Sequence, residues 1–155
     1  MGVNALVSKR LAIDASLIID LYAAPNDIRA SIAEEVLSWI SARIVEAYAP
    51  KLLMVEVIGV LARYLSEEDL ELVITSFLPI KLLPEEIFYN EAIKVARSTG
   101  SRAADTYYIT VASIVNGILL TNDKRQKQNA KKASIESYYL IEEKKEAKQR
   151  ILQSQ

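Results

Sequence analysis

Gly117-Ile118-Leu119-Leu120-Thr121-Asn122-Asp123 is a short apolar run, opened by glycine and closed abruptly by Thr-Asn-Asp. Such a run suits a buried parallel strand whose last residues emerge at the carboxyl edge of a sheet, where open α/β folds bind their ligands. Leu11-Ala12-Ile13 followed by Asp14-Ala15-Ser16 has the same form. Two strands that each end in an aspartate beside a hydroxyl residue can place two carboxylates in one cleft.

Outward from these two stretches, apolar runs alternate with helical spacing. Asp27 is expected to cap a helix reaching about residue 46, with Ile28, Ile32, Val36, Leu37, Ile40 and Ile44 near helical periodicity. Residues 47–49 read as a short strand closed by Pro50. Residues 51–65 read as a helix apolar almost all round, interrupted by Glu56. Ser66 and Asp69 form a capping box for a helix to about Phe77, and residues 80–83 read as a strand between Pro79 and Pro84. An amphipathic helix is expected over 85–98, with Ile87, Ala92, Ile93 and Ala96 toward the core and Gly100 as its stop. Another helix over about 103–116 leads into the Gly117 strand. The basic run 124–132 reads as an exposed short helix or loop, 135–141 as a last strand and 142–152 as a charged helix. This alternation predicts an α/β architecture: a parallel sheet with helices on both faces. At 155 residues, one domain over 1–155 is expected.

Composition narrows the chemistry. Apolar residues make up 51% and charged residues 25%, which is globular composition rather than disorder. No apolar run approaches the ~20 residues of a membrane span, and the first ten residues hold no secretory segment. An intracellular, cytoplasmic protein without a membrane anchor is the expectation. There is no cysteine, so disulfides, zinc–thiolate sites and thiol nucleophiles are excluded. There is no histidine, which removes the commonest general base and every Ser-His-Asp arrangement. Catalysis would have to come from carboxylates, hydroxyls, amines or a cofactor, and carboxylates with a hard cation are the natural candidates. A net charge of −1 argues against coating nucleic acid by bulk charge.

Most of the twenty acids fall on polar helical faces or in first turns, where they favour solubility and the helix dipole. Four do not. Asp14 and Asp123 end apolar strands, Glu56 sits among Leu52, Leu53, Gly59 and Val60, and Asp105 starts a helix with Ile109 and Ala112 on its face. Each has a plainer reading: an ion pair of Glu56 with Arg63, a dipole-favoured charge for Asp105, turn formation for Asp14 and Asp123. One shared site accounts for all four together. Two carboxylates ~4 Å apart repel by about 4 kcal/mol at an effective dielectric near 20, so several converging acids call for a cation. Magnesium or manganese, with oxygen ligands and retained waters, meets that need.

With Ile-Asp-Ala-Ser around Asp14, Glu56 in its apolar helix, Ala-Asp-Thr-Tyr-Tyr around Asp105 and Leu-Leu-Thr-Asn-Asp ending at Asp123, the chain resembles the PIN-domain family of metal-dependent ribonucleases, and within it the small VapC-type toxins. The resemblance covers nearly the whole chain. It implies a PIN-like three-layer α/β/α sandwich with about five parallel strands and the acids at their carboxyl edge. It implies that Asp14, Glu56, Asp105 and Asp123 bind one or two Mg²⁺ or Mn²⁺ ions, and that the hydroxyls of Ser16 and Thr121 orient the acids or the attacking water. It further implies an endoribonuclease acting on single-stranded RNA, a small antitoxin partner and a homodimer. Asn122 occupies a variable position of the pattern, and the basic run after Asp123 is richer than the pattern requires. Lys124, Arg125, Lys127, Lys131 and Lys132 are candidates for RNA phosphate contacts, with a solvated face as the alternative. Trp39 and Tyr107 read as packing residues rather than base-stacking platforms.

Three rival readings stand beside this one. A magnesium-dependent phosphohydrolase with an aspartyl nucleophile at Asp14 would want a second aspartate two residues on, where Ser16 stands. A receiver-type signalling module would want an acidic pair on its first strand and a lysine ending its last. A non-catalytic PIN-like interaction domain would have little reason to carry all four acids.

Overall fold

The computed structural model describes residues 9–77 and 79–153. The reading of residues 1–10 as free of a secretory segment falls mostly outside them. In chain order the elements are β1 (Lys9–Ile13), α1 (Ala15–Ala23), α2 (Ile28–Ser41), β2 (Val45–Pro50), α3 (Leu52–Leu61), α4 (Glu67–Ser76), β3 (Ile80–Leu83), α5 (Tyr89–Thr99), α6 (Ala103–Ile114), β4 (Ile118–Thr121), α7 (Lys124–Lys132), β5 (Ser137–Tyr139) and α8 (Leu140–Leu152). A single 3-10 turn, Glu85–Ile87, precedes α5.

The five strands form one sheet in the order β3-β2-β1-β4-β5, and every neighbouring pair is parallel. Helices cover both faces, as an all-parallel sheet requires. α6 lies against β1, β2 and β4 with α5 and α7 beside it, while α2 and α3 each pack on α1 and α8 reaches α2. The result is the expected three-layer α/β/α arrangement. Leu11, Ala12, Ile13, Leu119 and Leu120 have no exposed surface. Fully burying one such leucine or isoleucine contributes roughly 1.5–3 kcal/mol, so the two central strands anchor the core. No helix among the described residues is long and apolar enough to cross a membrane.

The strand order places the site. The chain runs from β1 outward to β2 and β3, then returns to lay β4 on the other flank of β1. The carboxyl ends of β1 and β4 therefore border the switch point, where a crevice opens because the following connections leave on opposite sides. Leu11, Ala12 and Ile13 pair with Ile118, Leu119 and Leu120. One step further along that register, Asp14 faces Thr121. Gly117 makes the pairing possible, since a Cβ there would lie 2.7 Å from the Arg10 carbonyl oxygen.

Three local expectations need correction. The helix expected to reach residue 46 stops at Ser41, because Arg43 takes a left-handed φ of 58° and Val45 pairs with Lys9 in the sheet. Ile28 and Ile44, assigned to its apolar face, are exposed. The helix expected over 85–98 is broken at Phe88 into the 3-10 turn and α5; Ile87 and Ile93 face solvent, while Ala92 is buried as expected and Val95 is buried with it. Gly100 ends α5 at φ 64°, as its freedom from a Cβ allows. The basic run is a regular helix, α7, and it buries Gln126, Asn129 and Ala130.

Candidate active site

Asp14 is the N-cap of α1, only 5% exposed. Its carboxylate accepts the Ser16 N–H at 3.1 Å, the Ser16 hydroxyl on Oδ1 and the Thr121 hydroxyl on Oδ2. Those hydroxyls are themselves committed. The Asn122 N–H donates to Ser16 Oγ at 2.9 Å, and the Asp123 N–H donates to Thr121 Oγ1 at 2.9 Å. With an N–H filling the acceptor side of each hydroxyl, each turns its proton onto Asp14. The Thr-Asn-Asp turn after β4 thus delivers two backbone donors, through two side chains, to both oxygens of one buried acid. Such a chain of polarised bonds holds a carboxylate in one orientation. Burial nevertheless dominates: it pushes the Asp14 carboxyl up from 3.8 to about 7, against the hydroxyl and N–H bonds and with a contribution from the negative Asp123.

Asp123 is the exposed N-cap of α7, where its carboxylate accepts the Arg125 N–H at 2.8 Å. Asp105 sits in the first turn of α6 with a partly buried side chain and the Arg102 Nε at 3.9 Å. Burial raises its carboxyl above the ordinary range, with Asp123 adding to the rise and Arg102 and Arg125 opposing it. Glu56, on α3, accepts the Tyr108 hydroxyl at 2.6 Å. No ion pair joins it to Arg63, its expected alternative partner. Tyr108 is 2% exposed, and its phenol is pushed above its ordinary range by burial, by Glu56, and by the charges of Asp14 and Asp105.

Asp14, Ser16 and Thr121 are in direct contact, Asp123 joins them through its backbone, and Asp105 and Glu56 reach the group through charge and through Tyr108. Among the described residues, no three acidic side chains converge closely enough to hold a metal by themselves. The donor set fits a cation that keeps its own water. It consists of oxygens only, and magnesium is characteristically held by one or two carboxylates plus waters and phosphate oxygens. Asn122 Oδ1 and Gln126 Oε1 are buried without a hydrogen-bond partner.

The basic rim is smaller than the run of charges suggests. Lys124 pairs with Glu142 at 3.0 Å, and Lys127 pairs with Glu143 at 2.8 Å while donating to the Ser137 carbonyl. Lys131 and Lys132 stand in the last turn of α7, on the order of 10 Å along its axis from Asp123 at 1.5 Å per residue. Arg125, and the unforeseen Arg102, remain beside Asp105. Trp39 is buried, and Tyr107 packs edge-on against Phe88 with ring centroids 5.1 Å apart, in keeping with packing roles.

The sequence assigns no role to Tyr108, although it closes the Ala-Asp-Thr-Tyr-Tyr motif, nor to Gln126 or the Asn122–Asp20 contact at 3.0 Å. Tyr108 carried one usable signal: it lies three residues after Asp105, on the same helical face.

The PIN domain family model matches residues 11–132, which include all six candidate residues. The crystal structure of PAE2754 from Pyrobaculum aerophilum is similar over 86% of this chain and 85% of that one, with a TM-score of 0.56 and 20% identity, a likeness of fold. No curated protein matches the chain. With the family pattern running from β1 through α7 and the five-stranded parallel sheet beneath it, the chain belongs to the PIN domain family, whose members are generally nucleases.

Proposed function

We propose that this protein is a metal-dependent endoribonuclease that hydrolyses phosphodiester bonds of single-stranded RNA, and that Asp14, Asp105 and Asp123 hold its Mg²⁺ or Mn²⁺. The observation that carries this reading is Asp14: a buried acid at the switch point of the sheet, fixed by three donors, one of which, the Thr121 hydroxyl, is itself held by the Asp123 N–H. Burying a carboxylate is costly, and a cation at that position offsets the cost.

A divalent cation there would supply charge to the phosphoryl oxygens and lower the pKa of a water within reach. Ser16 and Thr121 keep both Asp14 oxygens oriented. Asp105 and Asp123 add negative charge from two other elements, and Tyr108 holds Glu56 where it can bind a second cation or position water. Arg102 and Arg125 neutralise part of the acidic field and can meet RNA phosphates.

The resemblance to VapC-type proteins supports a cytoplasmic, homodimeric toxin component paired with a small antitoxin. A short DNA-binding reading frame beside this gene would support that role. The loose spacing of the acids and the Arg102–Asp105 pair favour a second reading, a PIN-like interaction domain without catalysis. One experiment separates the two. Purified protein is expected to cleave single-stranded RNA with Mn²⁺ or Mg²⁺, to stop on addition of EDTA, and to lose activity in Asp14→Asn with the fold intact. Protein inert on varied RNAs with either metal supports the interaction domain instead.

A further inference from the structure

Gln126 lies in the first turns of α7, three residues after Asp123, and is 1% exposed. Its Nε2 donates to the backbone carbonyl of Asp105 at 3.0 Å. Its Oε1 is buried with no partner. The carbonyl fixes the amide orientation, because turning the group over would set oxygen against oxygen. A buried amide with one orphaned oxygen carries a penalty that methionine or leucine of similar size would not. Packing therefore does not explain this residue, whereas its one good bond does. That bond crosses from the helix that bears Asp123 to the acid-bearing first turn of α6. Within α6 the Asp105 carbonyl already faces the Ile109 N–H, so the Gln126 bond is additional to the helix.

We propose that Gln126 is a positioning residue, a strut that fixes the Asp105 turn relative to Asp123 and so sets the spacing of two proposed cation ligands. The inference rests on the metal-dependent reading above. Gln126 acts through the backbone of Asp105 and touches neither substrate nor cation. Asp14 is held by Ser16 and Thr121 through separate bonds, so loss of the strut loosens one side of the site only.

The test uses the full chain with Gln126→Met, and Gln126→Leu should the first variant fold poorly. Amide hydrogen exchange is measured without metal at residues 106–109, and Mn²⁺ affinity by electron paramagnetic resonance. The strut predicts exchange at those amides faster by about fivefold or more, because the first turn of α6 loses its tie to α7 and opens more often. It also predicts Mn²⁺ affinity lower by about tenfold, as for other groups that orient metal ligands. Global unfolding should occur at the same or a higher temperature, since the orphaned oxygen is gone. A packing role predicts no change in either readout, and unchanged exchange overturns the strut whatever the metal does. Faster exchange with unchanged Mn²⁺ affinity overturns the positioning role. If wild type binds no Mn²⁺ while the variant exchanges faster, the metal reading fails and takes the positioning role with it, leaving only a tie between two helices.

Discussion

At the scale of single residues, Asp14 is a destabilised acid whose orientation is fixed. Its folded-state pKa of about 7 lies above its ordinary 3.8, so the folded protein retains a proton that the unfolded chain has lost between those values. Stability of the metal-free protein should therefore fall as pH rises from about 4 to 7 and then level off. Asp14→Asn keeps a good N-cap and removes the titration. Relative to wild type it should gain up to about 4 kcal/mol between pH 4 and pH 8, at 1.4 kcal/mol per pH unit, on top of a pH-independent cost of about 1–3 kcal/mol for setting its amide N–H₂ against a donor hydroxyl. Urea denaturation at the two pH values measures this, and equal effects at both would remove the burial argument. Thr121→Val keeps the shape and deletes the hydroxyl that joins Asp14 to the Asp123 N–H. It should cost about 1–3 kcal/mol, the usual penalty for orphaning a buried polar group. A loss under 0.5 kcal/mol by the same denaturation would mean that the relay through Thr121 is not formed.

At the scale of elements, the site depends on how closely β1 and β4 approach. Gly117→Ala puts a Cβ against the Arg10 carbonyl and must push β4 along or away from β1. A loss of about 1–3 kcal/mol is expected, the range for overpacking, and the Asp14–Thr121 contact should loosen with it. Thermal unfolding at wild-type temperature would show that the strands have slack. The elements were legible in the sequence where local chemistry and tertiary demand agree: Gly117 and Asp123 bracket β4, Ser66 caps α4, and Gly100 ends α5. They were not where the two conflict. Ile44 continues the helical spacing of α2, yet pairing of Val45 with Lys9 ends the helix first. Ile87 and Ile93 look like core positions, yet beyond the break at Phe88 it is Val95, beside the expected Ala92, that faces inward. The contacts of Gln126 and Tyr108 are illegible in the sequence for a third reason. Their partners, the Asp105 carbonyl and Glu56, are distant in sequence, and no periodicity marks a long-range hydrogen bond.

At the scale of the molecule, a net charge of −1 and a rim reduced to Arg102 and Arg125 leave little electrostatic grip on RNA. The affinity of a catalytically silent variant for single-stranded RNA should therefore depend weakly on salt. About two phosphate contacts give a log–log slope near −1.4, at roughly −0.7 per contact. A slope steeper than about −4 would mean that Lys131, Lys132 or a second copy of the chain also contacts the strand. The meeting of Asp14 with the Thr121–Asp123 turn, by contrast, follows from topology, since strands ending side by side at a switch point gather residues far apart along the chain. Titration of Mn²⁺ into wild type and Asp14→Asn, followed by calorimetry in one buffer, tests that meeting most directly. The account predicts saturable binding to wild type and affinity weaker by at least about tenfold in the variant, the loss expected when a ligating carboxylate becomes a neutral amide. Equal binding to both proteins, or none to either, would contradict it.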